Sequence, residues 1–157
     1  MPTEAERHFI EKVGITFEQL GFPRMGGRII GWLLISASPQ ATMGELTEAL
    51  QASKSSMSSI TRLLIQFNLI EVVSLPGVRR DYFRIRSDAW TNALHDRFLQ
   101  ATTFRSLADE GLALLEGTPP ERSRRLQEMQ LMYAFLEREI PLLIERWQVE
   151  RQAFLVS

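Results

Sequence analysis

The sequence predicts a mainly α-helical fold with one small β-hairpin. Two patterns carry this prediction. Apolar residues recur at helical spacing through most of the 157 residues, and two short β-branched and aromatic stretches flank a Pro-Gly turn. The predicted elements are helices at 3–20, 23–36, 43–50 and 54–67, strands at 70–74 and 81–85, and helices at 88–116 and 119–155.

Capping residues mark several of these boundaries. Thr-x-x-Glu capping boxes are expected to start helices at 3–6, 42–45 and 118–121. Ser53 is expected to cap the helix that begins at residue 54, and Asn68 to take the left-handed position that ends it. Residues between these signals, including 38–41, are predicted as loop.

Three glycines, Gly26, Gly27 and Gly31, lie inside the second predicted helix. Each mid-helix glycine costs about 1 kcal/mol relative to alanine. We therefore expect another backbone to pack closely against this helix. A phosphate-binding loop is not indicated, because the Gly-Lys-Ser/Thr ending of that motif is absent.

The last predicted helix carries apolar residues at alternating spacings of three and four, which is typical of paired helices. We expect this seam to form a dimer interface together with Phe9 and Val13 of the first helix; the alternative is that the helix folds back on its own chain. The seam residues are Leu126, Met129, Tyr133, Leu136, Ile140, Leu143 and Trp147.

Two further features of this helix bear on its packing. Its apolar face is widened by Leu131, Phe135 and Leu142, which leaves room for a second contact surface. Pro141 removes a backbone donor and is expected to kink the helix.

Composition excludes several classes of function. The chain has no Cys, and its two His residues, His8 and His95, lie too far apart in sequence for a zinc motif. No nucleophile, base and orienting partner can be assembled, so we predict neither an enzyme nor a cofactor site. The longest apolar run has 7 residues, too short for a membrane helix, and we expect a soluble, cytoplasmic protein.

The order of elements in 42–86 is typical of a winged helix-turn-helix: a short helix, a tight turn, a second helix and a hairpin. The net charge of −1 hides an uneven distribution, because residues 21–86 carry 8 basic and 4 acidic side chains. In such modules the second helix enters the DNA major groove. Its outward face is predicted to consist of Lys54, Ser55, Ser58, Ser59, Arg62 and Gln66, with Ile65 as the apolar exception.

The hairpin supplies further basic side chains for the DNA backbone or the minor groove. They are Arg79 and Arg80 at its tip and Arg84 and Arg86 on the return strand. Within one compact domain we predict an N-terminal dimerisation helix at 1–20, a DNA-binding region at 21–86 and C-terminal dimerisation helices at 87–157. The alternative function is a winged-helix adaptor that binds an acidic protein instead of DNA.

Three segments resemble motifs of the GbsR-type regulators, a branch of the MarR superfamily. Residues 21–31 are similar to the opening G-x-P-R-x-x-G-R-[IL]-x-G, 50–58 to the segment that starts the recognition helix, and 76–83 to the P-G-x-R-[KR]-[DE]-[YF]-[YF] wing. Val78 departs from the branch, since many members have an acidic residue there. A salt bridge that braces the wing is therefore expected to be missing.

The resemblance implies a homodimeric transcriptional regulator that binds double-stranded DNA at an inverted-repeat operator and responds to a small-molecule effector. The effector itself does not follow from the resemblance. Aromatic residues suited to an effector pocket or to plain core packing are Trp32, Trp90, Phe98 and Tyr133.

Overall fold

The computed structural model describes all 157 residues, of which 71% are helical, with a small three-stranded antiparallel sheet. This confirms the predicted fold class. The chain divides into two compact units, Met1–Ala89 and Trp90–Ser157. The elements are α1 (Glu4–Gln19), α2 (Arg24–Ile35), β1 (Gln40–Thr42), α3 (Met43–Leu50), α4 (Lys54–Gln66), β2 (Ile70–Ser74), β3 (Asp81–Ile85), α5 (Ala89–Leu114) and α6 (Pro120–Val156).

In the first unit, α1 packs on α2 at unusually short distance. A Cβ placed on Gly27 would lie 2.7 Å from the Val13 carbonyl oxygen and 2.8 Å from the Gly14 Cα. A Cβ on Gly31 would lie 3.1 Å from the Ile10 Cα. The expected close backbone approach is thus confirmed. It also places α1 within the first unit, and Val13, which we expected in a dimer interface, packs against α2.

Gly27→Ala should destabilise the first unit by about 1–3 kcal/mol, because the added methyl meets backbone that cannot move aside. Chemical denaturation measures this loss. Gly44→Ala is the matched control, since its Cβ would meet only the Thr42 hydroxyl at 3.9 Å. The control should be neutral or slightly stabilising through helix propensity. Equal stability of the two variants would contradict the close approach of α1 and α2.

The sheet contains a strand that the sequence pattern does not reveal. Gln40–Thr42 pairs antiparallel with β3, so the strand order is β1-β3-β2. The loop predicted at 38–41 is therefore wrong at its last two residues. Ala41 lies opposite Phe83, and both side chains are buried in the core of the first unit. A three-residue strand is too short for periodicity to show, and only its pairing partner defines it.

Most capping predictions are confirmed. Thr3 and Thr42 form complete capping boxes, Ser53 accepts the Ser56 N–H at 3.2 Å, and Asn68 has a positive φ of 56°. The third box is wrong. Thr118 instead donates to the Leu115 carbonyl at 2.7 Å, and α6 begins one residue later than that box requires.

The reason lies in Pro119 and Pro120. Proline suits the first turn of a helix, because it has no N–H to leave unpaired there. Pro119 is the N-cap and Pro120 the first helical residue, without a side-chain cap. This shift moves Thr118 out of the capping position.

The second unit is an antiparallel hairpin of α5 and α6. Ala101 of α5 forms a buried cluster with Ile140 and Ile144 of α6. The rings of Phe104 and Tyr133 stack with centroids 5.0 Å apart. Helix α6 continues as one helix through Pro141. Polar contacts between α5 and α6 lie on both sides of the buried cluster along the hairpin. These contacts are Arg105–Glu137 at 2.7 Å, Trp147 Nε1 donating to Thr91 Oγ1 at 2.8 Å, and Gln130 donating to Asp109.

The seam that we predicted for dimerisation is largely used inside this hairpin. Tyr133 and Leu136 pack against the buried cluster, Ile140 belongs to it, and Leu126 lies against Gly111 of α5. Trp147 is hydrogen-bonded to α5. For these residues the alternative applies, because the helix folds back on its own chain. Phe9 and Leu143 of the predicted interface stay well exposed.

Candidate nucleic-acid interface

Helix α4 presents a polar face that is free of the core. Met57, Thr61 and Leu64 are buried on its inner side. Ser58 is half-buried, and the other predicted outward residues are exposed: Lys54, Ser55, Ser59, Arg62 and Gln66. The side chains that we selected as base and phosphate contacts are thus brought together on one side of one helix.

Local hydrogen bonds orient part of this face. The Arg62 Nε donates to the Ser58 carbonyl at 3.2 Å, and the Ser59 hydroxyl donates to the Ser55 carbonyl at 3.2 Å. The two terminal amino groups of Arg62 make no hydrogen bond within the chain. They keep the forked donor pair that suits the O6 and N7 acceptors of guanine.

Ile65 and Phe67 differ from the helical-wheel prediction for α4. Its inner face is predicted to consist of Met57, Ile60, Leu64 and Phe67. Ile65, expected outside, packs half-buried against the core. Phe67, expected inside, is 45% exposed, and its ring meets Phe22 edge-on at 5.0 Å. Thr61, for which no side was predicted, is buried, and its hydroxyl donates to the Met57 carbonyl at 3.0 Å. A wheel drawn for an isolated helix contains no neighbours, so it misses the contact that Phe22 provides.

The wing tip carries two exposed cations. Gly77 adopts a φ of 78°, which the turn after Pro76 requires and which side chains disfavour. Arg79 and Arg80 follow this turn, and neither forms an ion pair within the chain. Their charges are therefore available to an anionic partner.

The other two wing arginines are engaged. Arg84 lies 2.6 Å from Glu71, directly across the β2–β3 pair, and is not the free cation that we predicted. Arg86 pairs with both oxygens of Asp88 at 2.9 and 3.0 Å, and this hydrogen bonding raises the pKa of Arg86.

The wing is braced despite the departure at Val78. The Arg84–Glu71 pair joins its two strands, and a second link runs from the Ser74 hydroxyl, which donates to Asp81 at 3.0 Å. Cross-strand pairs of this kind each stabilise a sheet by about 0.2–1 kcal/mol. The salt bridge that we expected to be missing is replaced by these two contacts.

A cleft of about 420 Å³ lies between the wing and the starts of α3 and α4. Lys54 and Arg80 both line it, and Thr42 and Gly44 form its α3 side. Our sequence reasoning missed the last two, because β1 carries the start of α3 to the wing. The capping box at Thr42 predicts where α3 starts, but it does not predict that this start lies beside the wing.

The N-terminus of α3 carries its own carboxylate, from the capping box, at this cleft. The Thr42 backbone N–H donates to the Glu45 carboxylate at 2.6 Å, and this bond lowers the pKa of Glu45. The Arg80 charge lowers it further. Glu45 therefore stays ionised at neutral pH, and its negative charge opposes a phosphate at the cleft, so phosphate binding there would depend on the cations Lys54 and Arg80.

No group of three or more His, Cys, Asp or Glu side chains is arranged to hold a metal ion. None of the helices combines the length and the apolar character that crossing a membrane demands.

Known proteins resemble this chain in both units. A family profile described as "MmpR5-like MarR family transcriptional regulator" matches residues 88–150. The HTH-type transcriptional regulator MmpR5 of Mycobacterium tuberculosis (strain ATCC 25618 / H37Rv) is 40% identical over 129 residues, which cover 82% of this chain and 78% of that protein. The chain belongs to the MmpR5-like MarR family of transcriptional regulators.

Further relatives of this MarR family regulator agree. The HTH-type transcriptional repressor OpcR of Bacillus subtilis (strain 168) is 30% identical over 137 residues, covering 80% of this chain and 72% of OpcR. The crystal structure of a transcriptional regulator is 37% identical to this chain with a TM-score of 0.79, and the match covers 92% of this chain and 98% of the other.

These comparisons confirm the prediction of a DNA-binding transcriptional regulator. The family consists of regulators and not of enzymes. The profile lies over α5 and α6, and the similarity to MmpR5 covers most of this chain.

Proposed function

We propose that this regulator binds an inverted-repeat operator as a homodimer, with α4 in the major groove and the wing tip on the adjacent backbone or in the minor groove. One observation carries the DNA part of the proposal. Lys54 at the start of α4 and Arg80 of the wing line the same cleft, so the reading helix and the wing share a cationic rim. Phosphate contacts at such a rim set the register of a protein on duplex DNA.

The residues divide by chemistry. Arg62 has free terminal amino groups and suits a guanine edge, while Gln66 suits adenine. Lys54, Arg79 and Arg80 are cations without ion-pair partners and suit phosphates. Ser55, Ser58 and Ser59 are short hydroxyl groups that reach bases or phosphates alike. Arg84 supports the wing through Glu71 and contributes to DNA binding indirectly.

Replacing Arg79 and Arg80 together by Ala should weaken binding to all duplex sequences and flatten the dependence of log K on log salt by about 2 at most. Titrating fluorescent random-sequence duplex at several salt concentrations measures both effects. The control is Arg122→Ala with Arg125→Ala, which removes the same charge from exposed positions of α6. A slope that changes equally in both double variants would count against contact between the wing and phosphate.

The dimer contact that we propose uses the face of α6 that does not meet α5. At about 3.6 residues per turn, a second apolar stripe runs opposite the hairpin seam. Leu142 is 50% exposed and Val149 is 72% exposed. The stripe comprises Leu131, Phe135, Leu142, Val149 and Val156.

A second copy of the chain fits this stripe best. From residue 135 onward its members recur every seven residues, the spacing of helices that pair with each other. At about 1.5 Å per residue the stripe is about 38 Å long, which suits the self-complementary contact of a two-fold dimer. Leu99, Leu107 and Leu114 of α5 are also exposed, and so is Phe9 of α1. We assign the interface to the stripe of α6 together with the exposed leucines of α5, and not to the buried seam.

The branch of the superfamily and the cellular location are also proposed. We assign the chain to the GbsR-type branch, with the motifs at 21–31, 50–58 and 76–83 as support. The first contains Gly27 and Gly31, where α1 lies closest, and the third contains the left-handed Gly77. Since a regulator must reach the DNA that it controls, we place its action in the cytoplasm.

Response to a small-molecule effector is supported by the branch resemblance. Such an effector must bind the DNA-competent and DNA-free conformations with different affinities. The dialysable fraction of a lysate, added to the protein–operator complex, should change the fraction of bound DNA. No change at any concentration would count against the effector while leaving DNA binding intact.

A further inference from the structure

A cluster of charged side chains joins three helices of the first unit. Glu11 of α1 lies 2.6 Å from Arg24 and 3.3 Å from Arg28, both of α2. Arg28 is half-buried, and its Nη2 also donates to the Leu50 carbonyl at 3.3 Å. The Arg28 guanidinium therefore links α1, α2 and the end of α3.

The Leu50 carbonyl is the last of α3, where backbone acceptors lack helical partners. Two earlier carbonyls of this turn are satisfied by backbone, because the Gln51 N–H donates to Glu48 and the Ala52 N–H donates to Thr47. Leu50 receives its bond from Arg28, and a cation at this position also complements the helix dipole. Arg28 thus completes the end of α3.

This end of α3 determines where α4 begins. Gln51 takes the left-handed conformation with φ 51°, and Ser53 caps α4 only two residues later. The turn is short, so a change in the direction of the last turn of α3 passes directly to α4. On its other side Arg28 pairs with Glu11 of α1. The cluster therefore holds the end of α3 without itself touching α4.

We propose that Arg28 is a positioning residue for DNA recognition. Its guanidinium holds the end of α3 against α1 and α2 and thereby sets the orientation in which α4 meets the major groove. Arg28 lies outside the polar face of α4 and the wing, and it need not touch DNA. The inference rests on the proposed role of α4 as the reading helix.

The test compares specific with non-specific binding. The specific probe is the inverted-repeat duplex that the wild-type protein selects from a randomised pool, and the non-specific probe is random-sequence duplex. Arg28→Met should lower the ratio of specific to non-specific affinity by about 10-fold, the scale of one charge-assisted hydrogen bond. The salt dependence on random duplex should not change, because no phosphate contact is lost.

Arg24→Met is the matched control. Arg24 pairs with the same Glu11 carboxylate and with Glu18 at 3.8 Å, but it forms no hydrogen bond or ion pair with α3. In Arg24→Met the ratio of specific to non-specific affinity should stay at the wild-type value. Arg28→Lys keeps the charge but cannot span both partners, so its ratio should be intermediate.

Each outcome decides the inference. Circular dichroism and thermal melting show whether a variant is folded at the assay temperature, and Arg28→Lys replaces Arg28→Met if the latter is not. An unchanged ratio in a folded Arg28 variant, or an equal fall in Arg24→Met, overturns the positioning role. If Arg62 and wing variants also bind as the wild type does, or no duplex is selected, the proposed function fails instead.

Discussion

Leu142→Glu should convert the proposed dimer into an 18.0 kDa monomer and abolish binding to the inverted repeat. Leu142 is half exposed in the single chain and lies in the middle of the second stripe of α6. In a two-fold contact the substitution buries two unpaired carboxylates, each of which costs about 3–5 kcal/mol. The dimer dissociation constant should rise by at least about 100-fold, which sedimentation velocity detects.

Two comparison variants make this result specific. Gln148→Glu adds the same charge to an exposed position of α6 outside the stripe and should stay dimeric. Leu136→Glu places a charge in the seam that packs on α5, so it should lower the melting temperature of the hairpin itself. If Leu136→Glu remains folded but becomes monomeric while Leu142→Glu stays dimeric, the interface lies in the seam and our assignment is wrong.

Arg62→Ala should weaken binding to the selected operator by about 1–3 kcal/mol and relax discrimination at one base pair of each half-site. The two terminal amino groups of Arg62 have no partner in the chain, so a base edge can take both. Folding should be nearly unaffected, because the side chain is exposed. Competition titrations with single-base operator variants identify the position that Arg62 reads.

Arg62→Lys separates base reading from charge. Lysine keeps the cation but loses the planar fork, so it should retain the salt dependence and lose most of the discrimination. This pattern differs from that of the wing variant, which should lower specific and non-specific affinity together. Wild-type discrimination in a folded Arg62→Ala variant would remove Arg62 from the set of reading residues.

The helical elements of this protein could be predicted from local pattern. The start of α4 at Ser53 and the left-handed Asn68 at its end follow from the chemistry of single residues. The close approach at Gly27 also follows, since glycine inside a helix has a cost that packing must offset. The outward face of α4 followed from helical spacing, with Ile65 and Phe67 as the exceptions.

What the sequence by itself determined is therefore local: helix periods, caps, the hairpin turn and the order of elements typical of a winged helix. Only the tertiary structure decided which partner each surface meets. Gln40–Thr42 became a strand through pairing with β3, Arg84 became a brace through Glu71, and the heptad seam of α6 met α5. An apolar stripe is stabilised by burial and a cation by an opposite charge. Several partners in the same chain can provide either, and only their positions in the fold determine which one does.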